Sequence, residues 1–530
     1  MEIIFCLMAF AKTCKISSAL NFPTFARKFK KLNPLKRLAG QTAIYGLSSI
    51  VGRLLNYLLV PLYTRVLITS EYGVVTEMYA YVSILWVILT YGMETTYFRF
   101  SQSEKDKNKV YDTAFLSVVF TSVLFGFLVL INSQGLATML GYNQHTNYVV
   151  WFGLILAFDA ITAIPFAKLR QQNKAIRFAV LKLVNIGVNI GLNLFFILLC
   201  PFILKHYPEG IFAGLINTFF NPDEMVGYIF ISNLIASTLT LLLLLPEIPF
   251  RKFSFDFKLW YRMLGYTWPL LIVAISGSIN LSLDKILLPR LLPEGSDVMA
   301  QVGIYGACYK VSIIMSLFVQ TFRYAADPFF FSESSKNDSR KLFADVFNYF
   351  TIAVSLIFLF TMMYIDIVIR FIGVAYREGA GVIPVLLMGN LFLGIYYTLS
   401  IWYKLTNQTI YGAVLSAIGA ILSVVLNILF IPSFGYYGSA WAAFVAYTVM
   451  MVMSYFLGQK YFPVPYNLRK FFIYAGLPVV FYLIGNYLQI QNLYFRLFFN
   501  TVLVISYLVF VIYYEKLNLQ KLIFKKRSTQ

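Results

Sequence analysis

Isolated charged residues interrupt the long apolar stretches of this sequence. Arg53 lies near the middle of one stretch, and Asp159 has a similarly central position in another. A guanidinium group at the centre of a bilayer is costly, so such a side chain usually faces a bundle interior or a wet cavity. We therefore predict that Arg53 faces a transported substrate. The alternative is an internal ion pair of Arg53 with Asp159 or Glu94.

Other charges occur at less central positions. Arg323 and Asp327 are four residues apart, a spacing that lets them pair on one face of a helix. Four more charged residues lie nearer the predicted helix ends, where we expect them to anchor at the membrane interface: Glu77, Lys182, Asp284 and Asp366.

Residue patterns for catalysis are missing. No glycine-rich phosphate loop, HExxH or GxSxG motif occurs, and the two histidines, His145 and His206, fall in predicted outer loops. The four cysteines have no paired spacing that would indicate a disulfide framework or a metal site. We therefore predict no enzyme activity, no metal and no cofactor. A membrane polysaccharide polymerase is the less favoured alternative.

The elements that must position the charged residues are membrane helices. Hydrophobic residues make up 59% of the 530 residues, charged residues 12%, and the mean hydropathy is +0.72. Apolar runs of about 20 residues or more match the thickness of a bilayer core, and the alternating pattern of barrel strands is absent. The sequence predicts an all-α polytopic membrane protein with fourteen spans: 40–66, 74–98, 112–131, 147–169, 177–199, 225–246, 261–289, 302–331, 343–369, 380–403, 410–431, 437–458, 470–489 and 494–514.

The distribution of basic residues predicts the orientation. Of the 43 Lys and Arg residues, thirty-two lie in the two termini and the even-numbered loops, and about five lie in the odd-numbered loops. By the positive-inside rule, both termini are then cytoplasmic. The net charge of +20 follows this distribution, so it indicates topology and contact with anionic lipids rather than nucleic-acid binding.

An internal repeat divides the chain. Gly73 to Tyr79 aligns with Gly303 to Tyr309, and Asn193 aligns with Asn427. Parallel repeats are typical of transporters, with the substrate site at their interface. The sequence predicts two pseudo-symmetric six-helix lobes plus two C-terminal helices. The predicted segments are a cytoplasmic basic leader (1–37), an N-lobe (38–246), a C-lobe (260–458), two further helices (470–514) and a cytoplasmic basic tail (515–530).

A long predicted outer loop, 200–224, widens the first lobe. Its apolar part, Ile211 to Phe220, is too short to span a bilayer. We predict an interfacial or re-entrant segment, with a lid over the site as the alternative.

Several motifs resemble those of one transporter family. Together they are similar to the Wzx-type polysaccharide flippases, in the superfamily that also contains the MATE drug exporters and the lipid II flippase. The resemblance extends over residues 38 to about 514. The motifs are PLYTRVLITSEYGVV (61–75), GMETTYFRF (92–100), Asp284-Lys285, VGIYGACYK (302–310) and NILFIPSFGYYGSAWA (427–442).

This resemblance implies two six-helix lobes around a central cavity. The implied activity moves an undecaprenyl-diphosphate-linked oligosaccharide, such as an O-antigen precursor of lipopolysaccharide, from the cytoplasmic to the periplasmic leaflet of the bacterial inner membrane. A cation gradient is the implied drive. The implied partners are this lipid-linked oligosaccharide, membrane lipids and polysaccharide-assembly proteins. The alternatives are a MATE-like cation-coupled drug exporter and a lipid II flippase.

The family keeps basic residues in its cavity, and basic side chains suit the phosphate oxygens of an anionic cargo. The positions here that suit this substrate-binding role are Arg53, Lys310 and Arg323. The candidates for ion coupling or ion pairing are Glu94, Asp159 and Asp327.

Overall fold

All regular elements in the described part of the chain are helices. The computed structural model describes residue 52 and residues 54–248, 254–293, 297–333, 339–488 and 490–516, without the side chains of residues 324, 325, 327, 328, 332 and 333. The α-helices are α1 (Val60–Val66), α2 (Thr69–Thr90), α3 (Met93–Ser103), α4 (Lys107–Ile131), α5 (Ser133–Leu140), α6 (Thr146–Gln171), α7 (Ala175–Leu194), α8 (Cys200–His206), α9 (Ile211–Asn217), α10 (Met225–Leu244), α11 (Phe257–Leu291), α12 (Val298–Glu333), α13 (Ser339–Met363), α14 (Ile365–Val368), α15 (Ile383–Leu399), α16 (Ile401–Leu405), α17 (Ile410–Phe434), α18 (Tyr436–Tyr461), α19 (Leu468–Tyr487) and α20 (Leu493–Tyr514). A π-helical segment, Phe195–Leu199, joins α7 to α8, and 3₁₀ segments occur at Pro222–Glu224, Leu245–Glu247, Ile369–Phe371 and Val374–Val382.

Thirteen helical segments of the described residues are long and apolar enough to cross a membrane. They correspond to the second to fourteenth predicted spans, so the prediction of an all-α polytopic membrane protein is confirmed for this part of the chain. Most of the first predicted span, 40–66, lies outside the described residues, and α1 is its outer end. The basic leader, 1–37, and most of the basic tail, 515–530, also lie outside them.

The packing of the helices repeats between the two halves of the chain. In the first half, α2 and α4 pack against α6, while α6 and α7 pack against α10. In the second half, α12 and α13 pack against α15, while α15 and α17 pack against α18. Two pseudo-symmetric lobes are expected to show this pattern of neighbours. The last two helices, α19 and α20, pack on each other and on α13, so they form a hairpin on the second half.

The second predicted span is divided into two helices. Between α2 and α3, Tyr91 and Gly92 have φ angles of 34° and 74°, in the left-handed region that interrupts a helix. Beyond the break, the Thr96 hydroxyl lies 2.7 Å from the Thr267 hydroxyl of α11. The outer part, α2, is therefore free to follow a different direction from the inner part, α3.

The inserted loop of the first half contains two short helices, α8 and α9. The seven-residue α9 is far shorter than a membrane span, as expected for an interfacial segment. Its apolar side chains Ile211 and Phe212 are 85% and 71% exposed.

The two halves make a close backbone contact where α2 packs against α12. A Cβ atom added to Gly73 would lie 2.0 Å from the Met299 carbonyl oxygen, and one added to Gly303 would lie 1.9 Å from the Thr69 carbonyl oxygen. These two glycines align in the sequence repeat. The absence of a Cβ atom at both positions lets the helix backbones touch.

Replacing Gly303 by alanine should therefore separate α2 from α12. We expect the free energy of unfolding to fall by about 1–3 kcal/mol, because the new methyl group meets backbone atoms that cannot rotate away. Gly277 of α11 has no atom within 4 Å of an added Cβ atom and serves as the control. Gly277→Ala should be neutral or stabilise by up to about 1 kcal/mol. Denaturant unfolding in mixed micelles measures both variants, and equal effects would refute the close contact.

The inner end of α11 is joined to the first half by a capping aspartate. The Asp256 carboxylate accepts hydrogen bonds from the backbone N–H groups of Lys258 and Leu259 at 2.8 and 3.0 Å. The Lys109 ammonium group lies 2.7 Å from the same carboxylate. The hydrogen bond from Lys109, followed by the helix N–H groups, lowers the pKa of Asp256 to about 2. The charged form of Asp256 therefore stabilises the start of α11.

The low pKa of Asp256 predicts a pH dependence of stability. A depressed pKa stabilises the fold above the ordinary value of about 4, and this contribution is lost as the pH falls toward 2. Asp256→Asn keeps a capping oxygen but has no charge. We expect the variant to have a lower midpoint of thermal unfolding than the wild type at pH 6, and the difference to shrink progressively below about pH 4. A difference that stays constant with pH would contradict this role.

Candidate transport site

A cavity of about 490 Å³ lies where the two halves meet. The first half contributes α1 with the residues just before it, α2, α7 and α10, and the second half contributes α11 and α12. No aspartate or glutamate lines the cavity in the described part of the chain. The polar lining residues are Asn56, Tyr63, Tyr72, Thr76, Tyr79, Ser83, Asn185, Asn189, Asn233, Ser282, Lys285, Tyr309, Lys310, Ser316 and Gln320.

The cavity continues along α12 toward its predicted inner end. A second cavity of about 270 Å³ shares Asn56, Lys310 and Gln320 with the first. Because a helix rises 1.5 Å per residue, Gln320 lies roughly 15 Å beyond Lys310 along α12. The two cavities therefore adjoin each other between α12 and the residues around α1.

Lys310 is the central cation of these two cavities. Its side chain lines both cavities. Within the described residues its ammonium group has no carboxylate partner, and the charged group that acts on it is another cation, Lys285. Lys310 is therefore a basic cavity residue without a carboxylate partner in the described part of the chain.

Lys285, by contrast, is already paired. Its ammonium group lies 3.0 Å from a carboxylate oxygen of Asp284 and 3.7 Å from the ring centre of Tyr309. Asp284 also accepts a hydrogen bond of 2.6 Å from the Tyr305 hydroxyl. The prediction that Asp284 anchors at the membrane interface is wrong, since its side chain is buried by α12. A side chain near the end of its own helix can still be buried when another helix packs over that end.

Arg323 and Asp327, predicted to pair, lie near the inner end of α12. The Arg323 guanidinium group stacks over the ring of Tyr397 at 3.8 Å, and it lines neither of the two cavities. The side chain of Asp327 lies outside the described residues. Arg323 is thirteen residues, or roughly 20 Å, further along α12 than Lys310.

The acidic candidates of the first half lie behind the cavity wall. Glu94 forms an ion pair with Arg170. Asp159 lies within electrostatic range of Lys182 and of Tyr79, which lines the cavity. Among the described residues, Glu94 is therefore ion-paired within the first half, and neither carboxylate lines the cavity.

Arg53 lies outside the described residues. It precedes Asn56, a cavity residue, by three positions in the sequence. Its role stays a prediction.

An ion pair between a buried carboxylate and a partly exposed guanidinium group lies at the predicted outer end of the site. The Glu77 side chain of α2 is fully buried and binds the Arg290 guanidinium group at 2.5 Å. The Tyr142 hydroxyl donates a second hydrogen bond to Glu77. The prediction that Glu77 anchors at the interface is wrong, because α11 and the residues after α5 cover it.

The end of α1 is joined to the second half at the same level. The Gly373 N–H group donates to the Thr64 hydroxyl at 3.0 Å. The Tyr376 hydroxyl lies 2.9 Å from the carbonyl oxygens of both Leu67 and Ile68. With the Gly73 and Gly303 contact described above, these bonds close the outer side of the cavity.

Sequence reasoning missed the asparagines of α7. Asn185, Asn189 and Asn193 recur every fourth residue in the segment NIGVNIGLN, which places them on one face of the helix. Asn185 and Asn189 line the cavity, and Asn193 is fully buried beside it. Three polar residues at this spacing within an apolar span are a signal that the sequence contains.

The arrangement of helices is similar to that of several solved transporters. The lipid II flippase MurJ in an inward closed conformation gives a TM-score of 0.67 at 13% identity, covering 89% of this chain and 98% of MurJ. An inward-facing multidrug resistance MATE family transporter of the MOP superfamily gives a TM-score of 0.55 at 13% identity, covering 79% of this chain and 94% of the MATE chain. A MOP superfamily transporter from Pyrococcus furiosus gives a TM-score of 0.50 at 13% identity, covering 79% of this chain and 95% of the Pyrococcus chain. The fold is therefore that of a MOP superfamily transporter.

The sequence places the chain more narrowly. Residues 38–334, more than half of its length, match the family described as polysaccharide biosynthesis protein, and the chain belongs to this family. Among curated proteins, none matches this sequence.

Proposed function

We propose that this chain is a Wzx-type flippase for a lipid-linked oligosaccharide. It moves an undecaprenyl-diphosphate-linked glycan from the cytoplasmic to the periplasmic leaflet of the bacterial inner membrane by alternating access. The observation that carries this proposal is the position of Lys310, a basic side chain in a cavity that no carboxylate lines among the described residues. The polysaccharide biosynthesis family and a fold similar to that of the lipid II flippase support it.

The polarity of the cavity matches a diphosphate. Phosphate oxygens need cationic hydrogen-bond donors when they leave water, and a lysine supplies them as a point charge. Moving about two negative charges outward across a membrane potential gains roughly 4–5 kcal/mol per 100 mV. A drug exporter for organic cations would instead need acidic walls, so this observation disfavours the MATE-like alternative.

The remaining candidate residues have roles in the same proposal. Lys310 binds the diphosphate in the cavity, Arg53 is a further candidate cation for it, and Arg323 meets it nearer the cytoplasm. The proposed role in ion coupling or ion pairing belongs to three carboxylates: Glu94, Asp159 and Asp327.

The conformation fits loading from the cytoplasm. With both termini cytoplasmic, the closed contacts of Glu77, Arg290 and Tyr376 lie on the periplasmic side. The adjoining cavity past Lys310 and Gln320 extends toward the cytoplasmic side. The cargo therefore enters from the cytoplasmic leaflet and leaves once the outer contacts separate.

Expression in a strain that lacks its own flippase but makes the lipid-linked glycan tests this proposal. We expect surface glycan to return with unchanged chain length and no gain in drug resistance. Drug resistance without glycan would indicate a MATE-like exporter. A changed glycan length in a strain with an intact flippase would indicate a polymerase.

A further inference from the structure

The two sides of the cavity differ in chemistry. The second half supplies the cations Lys285 and Lys310, from α11 and α12. The first half supplies uncharged amides from α7 and α10, which we call the amide wall: Asn185, Asn189 and Asn233. A single undivided phosphate site would not need this separation.

Each amide of this wall is oriented by a neighbour in its own half. Asn185 donates to the Thr240 hydroxyl at 2.8 Å, and Asn233 donates to the Tyr79 hydroxyl at 3.0 Å. Asn189 accepts from the Asn193 side chain at 3.1 Å. These bonds hold the side chains in place before a ligand arrives.

The same bonds leave part of each amide unused. An asparagine side chain has two N–H donors and a carbonyl acceptor. Within the described residues, the carbonyl oxygens of Asn185 and Asn233 and the NH₂ group of Asn189 have no hydrogen-bond partner. All three side chains are only partly buried, and all three residues line the cavity, where a ligand can reach the unused groups.

A purely structural asparagine on the same helix looks different. Asn193 is fully buried, its side-chain oxygen accepts from the Tyr63 hydroxyl at 2.8 Å, and its NH₂ group donates to the backbone carbonyl oxygen of Asn189 at 2.8 Å. Its hydrogen bonds serve the protein alone. Asn185 and Asn189 lie on the same helix face but line the cavity and keep groups free, which points to a ligand.

Neutral groups that both donate and accept hydrogen bonds match sugar hydroxyl and acetamido groups. A phosphate would gain more from a cation, and a lipid tail would leave the amides unpaired at a cost. We infer that the amide wall is a glycan subsite, which holds the first sugars of the cargo while the α12 side holds its diphosphate. This inference rests on the proposed flippase function.

The size of the cavity sets how much of the glycan is held. A volume of about 490 Å³ lies within the range of small-molecule sites, roughly 300–1,000 Å³. The cavity therefore holds the diphosphate and the sugars next to it, and the rest of the glycan extends through the adjoining cavity toward Gln320.

Two water-soluble probes separate the two subsites. The full-length protein in nanodiscs is titrated with inorganic pyrophosphate and with the neutral oligosaccharide chitotetraose, and binding is followed by calorimetry. We expect the double variant Asn185→Leu/Asn189→Leu to bind chitotetraose about tenfold or more weakly, because two oriented amides are lost. Its affinity for pyrophosphate should stay within about twofold of that of the wild type. Asn233→Leu, on another helix, should also lower the affinity for chitotetraose.

Matched variants make the result specific. Asn427→Leu removes the asparagine of α17 that aligns with Asn193 and lies outside the cavity, so it should change neither affinity. Lys310→Gln should lower the affinity for pyrophosphate and leave the affinity for chitotetraose unchanged.

The possible outcomes distinguish this inference from the proposed function. The glycan subsite is refuted if the wild type does not bind chitotetraose, or if the double variant and Asn233→Leu bind it as the wild type does. It is supported, while the cationic part of the proposed function fails, if chitotetraose binds in an amide-dependent way and pyrophosphate does not bind.

Discussion

Replacing Lys310 by glutamine should reduce glycan display about tenfold or more in the flippase-deficient strain. The substitution removes a charge-assisted contact to the diphosphate of about 1.5–3 kcal/mol, and each 1.4 kcal/mol is tenfold. No carboxylate is left unpaired by the change among the described residues, so the fold should tolerate it. The measurement is surface glycan normalised to the amount of transporter in the membrane.

Two matched variants test the reason for this loss. Lys310→Arg keeps the positive charge and should retain most of the glycan display. Lys460→Gln removes a lysine from the end of α18, outside the cavity, and should have little effect. If all three variants behave alike, or if arginine is as poor as glutamine, the charge of Lys310 is not what binds the cargo.

Replacing Arg290 by methionine should destabilise the protein by about 3–5 kcal/mol, because it leaves the fully buried Glu77 carboxylate without its cation. The double variant Glu77→Gln/Arg290→Met should recover part of this loss, since no buried charge then remains unpaired. The free energy of unfolding, measured with denaturant in mixed micelles, tests both.

An exposed ion pair between the halves provides the control. Arg262 binds Glu104 at 2.9 Å, with side chains 58% and 31% exposed. Arg262→Met should therefore cost only about 0–1 kcal/mol. A similar effect of Arg262→Met and Arg290→Met would show that the burial of the Glu77 carboxylate has no special importance for stability.

The helices were predictable from the sequence because they depend on local information. Hydropathy along the chain is enough to locate spans, and thirteen of the fourteen predicted spans have their counterpart in the described residues. The alignment of Gly73 with Gly303 also indicated that α2 and α12 occupy equivalent positions. Lys310 was found because a charge within an apolar run is conspicuous.

The surroundings of the side chains were not predictable in the same way. Glu77 and Asp284 lie near the ends of their own helices, and this position favoured the membrane interface. Their burial depends on α11, on α12 and on Tyr142, which are distant in the sequence. Likewise, the spacing of Asn185 and Asn189 defines a helix face, but only the packed structure places that face on a cavity.

The glycine contact between α2 and α12 determines how the outer side must open. Side-chain contacts can be broken one at a time by changes of rotamer, but two touching backbones separate only when whole helices move. In the proposed alternating-access cycle, such a movement would also break the Glu77 and Arg290 pair and the Tyr376 bonds, because they join the same two halves. Such a concerted step has a high activation enthalpy, so the turnover rate of transport should rise steeply with temperature.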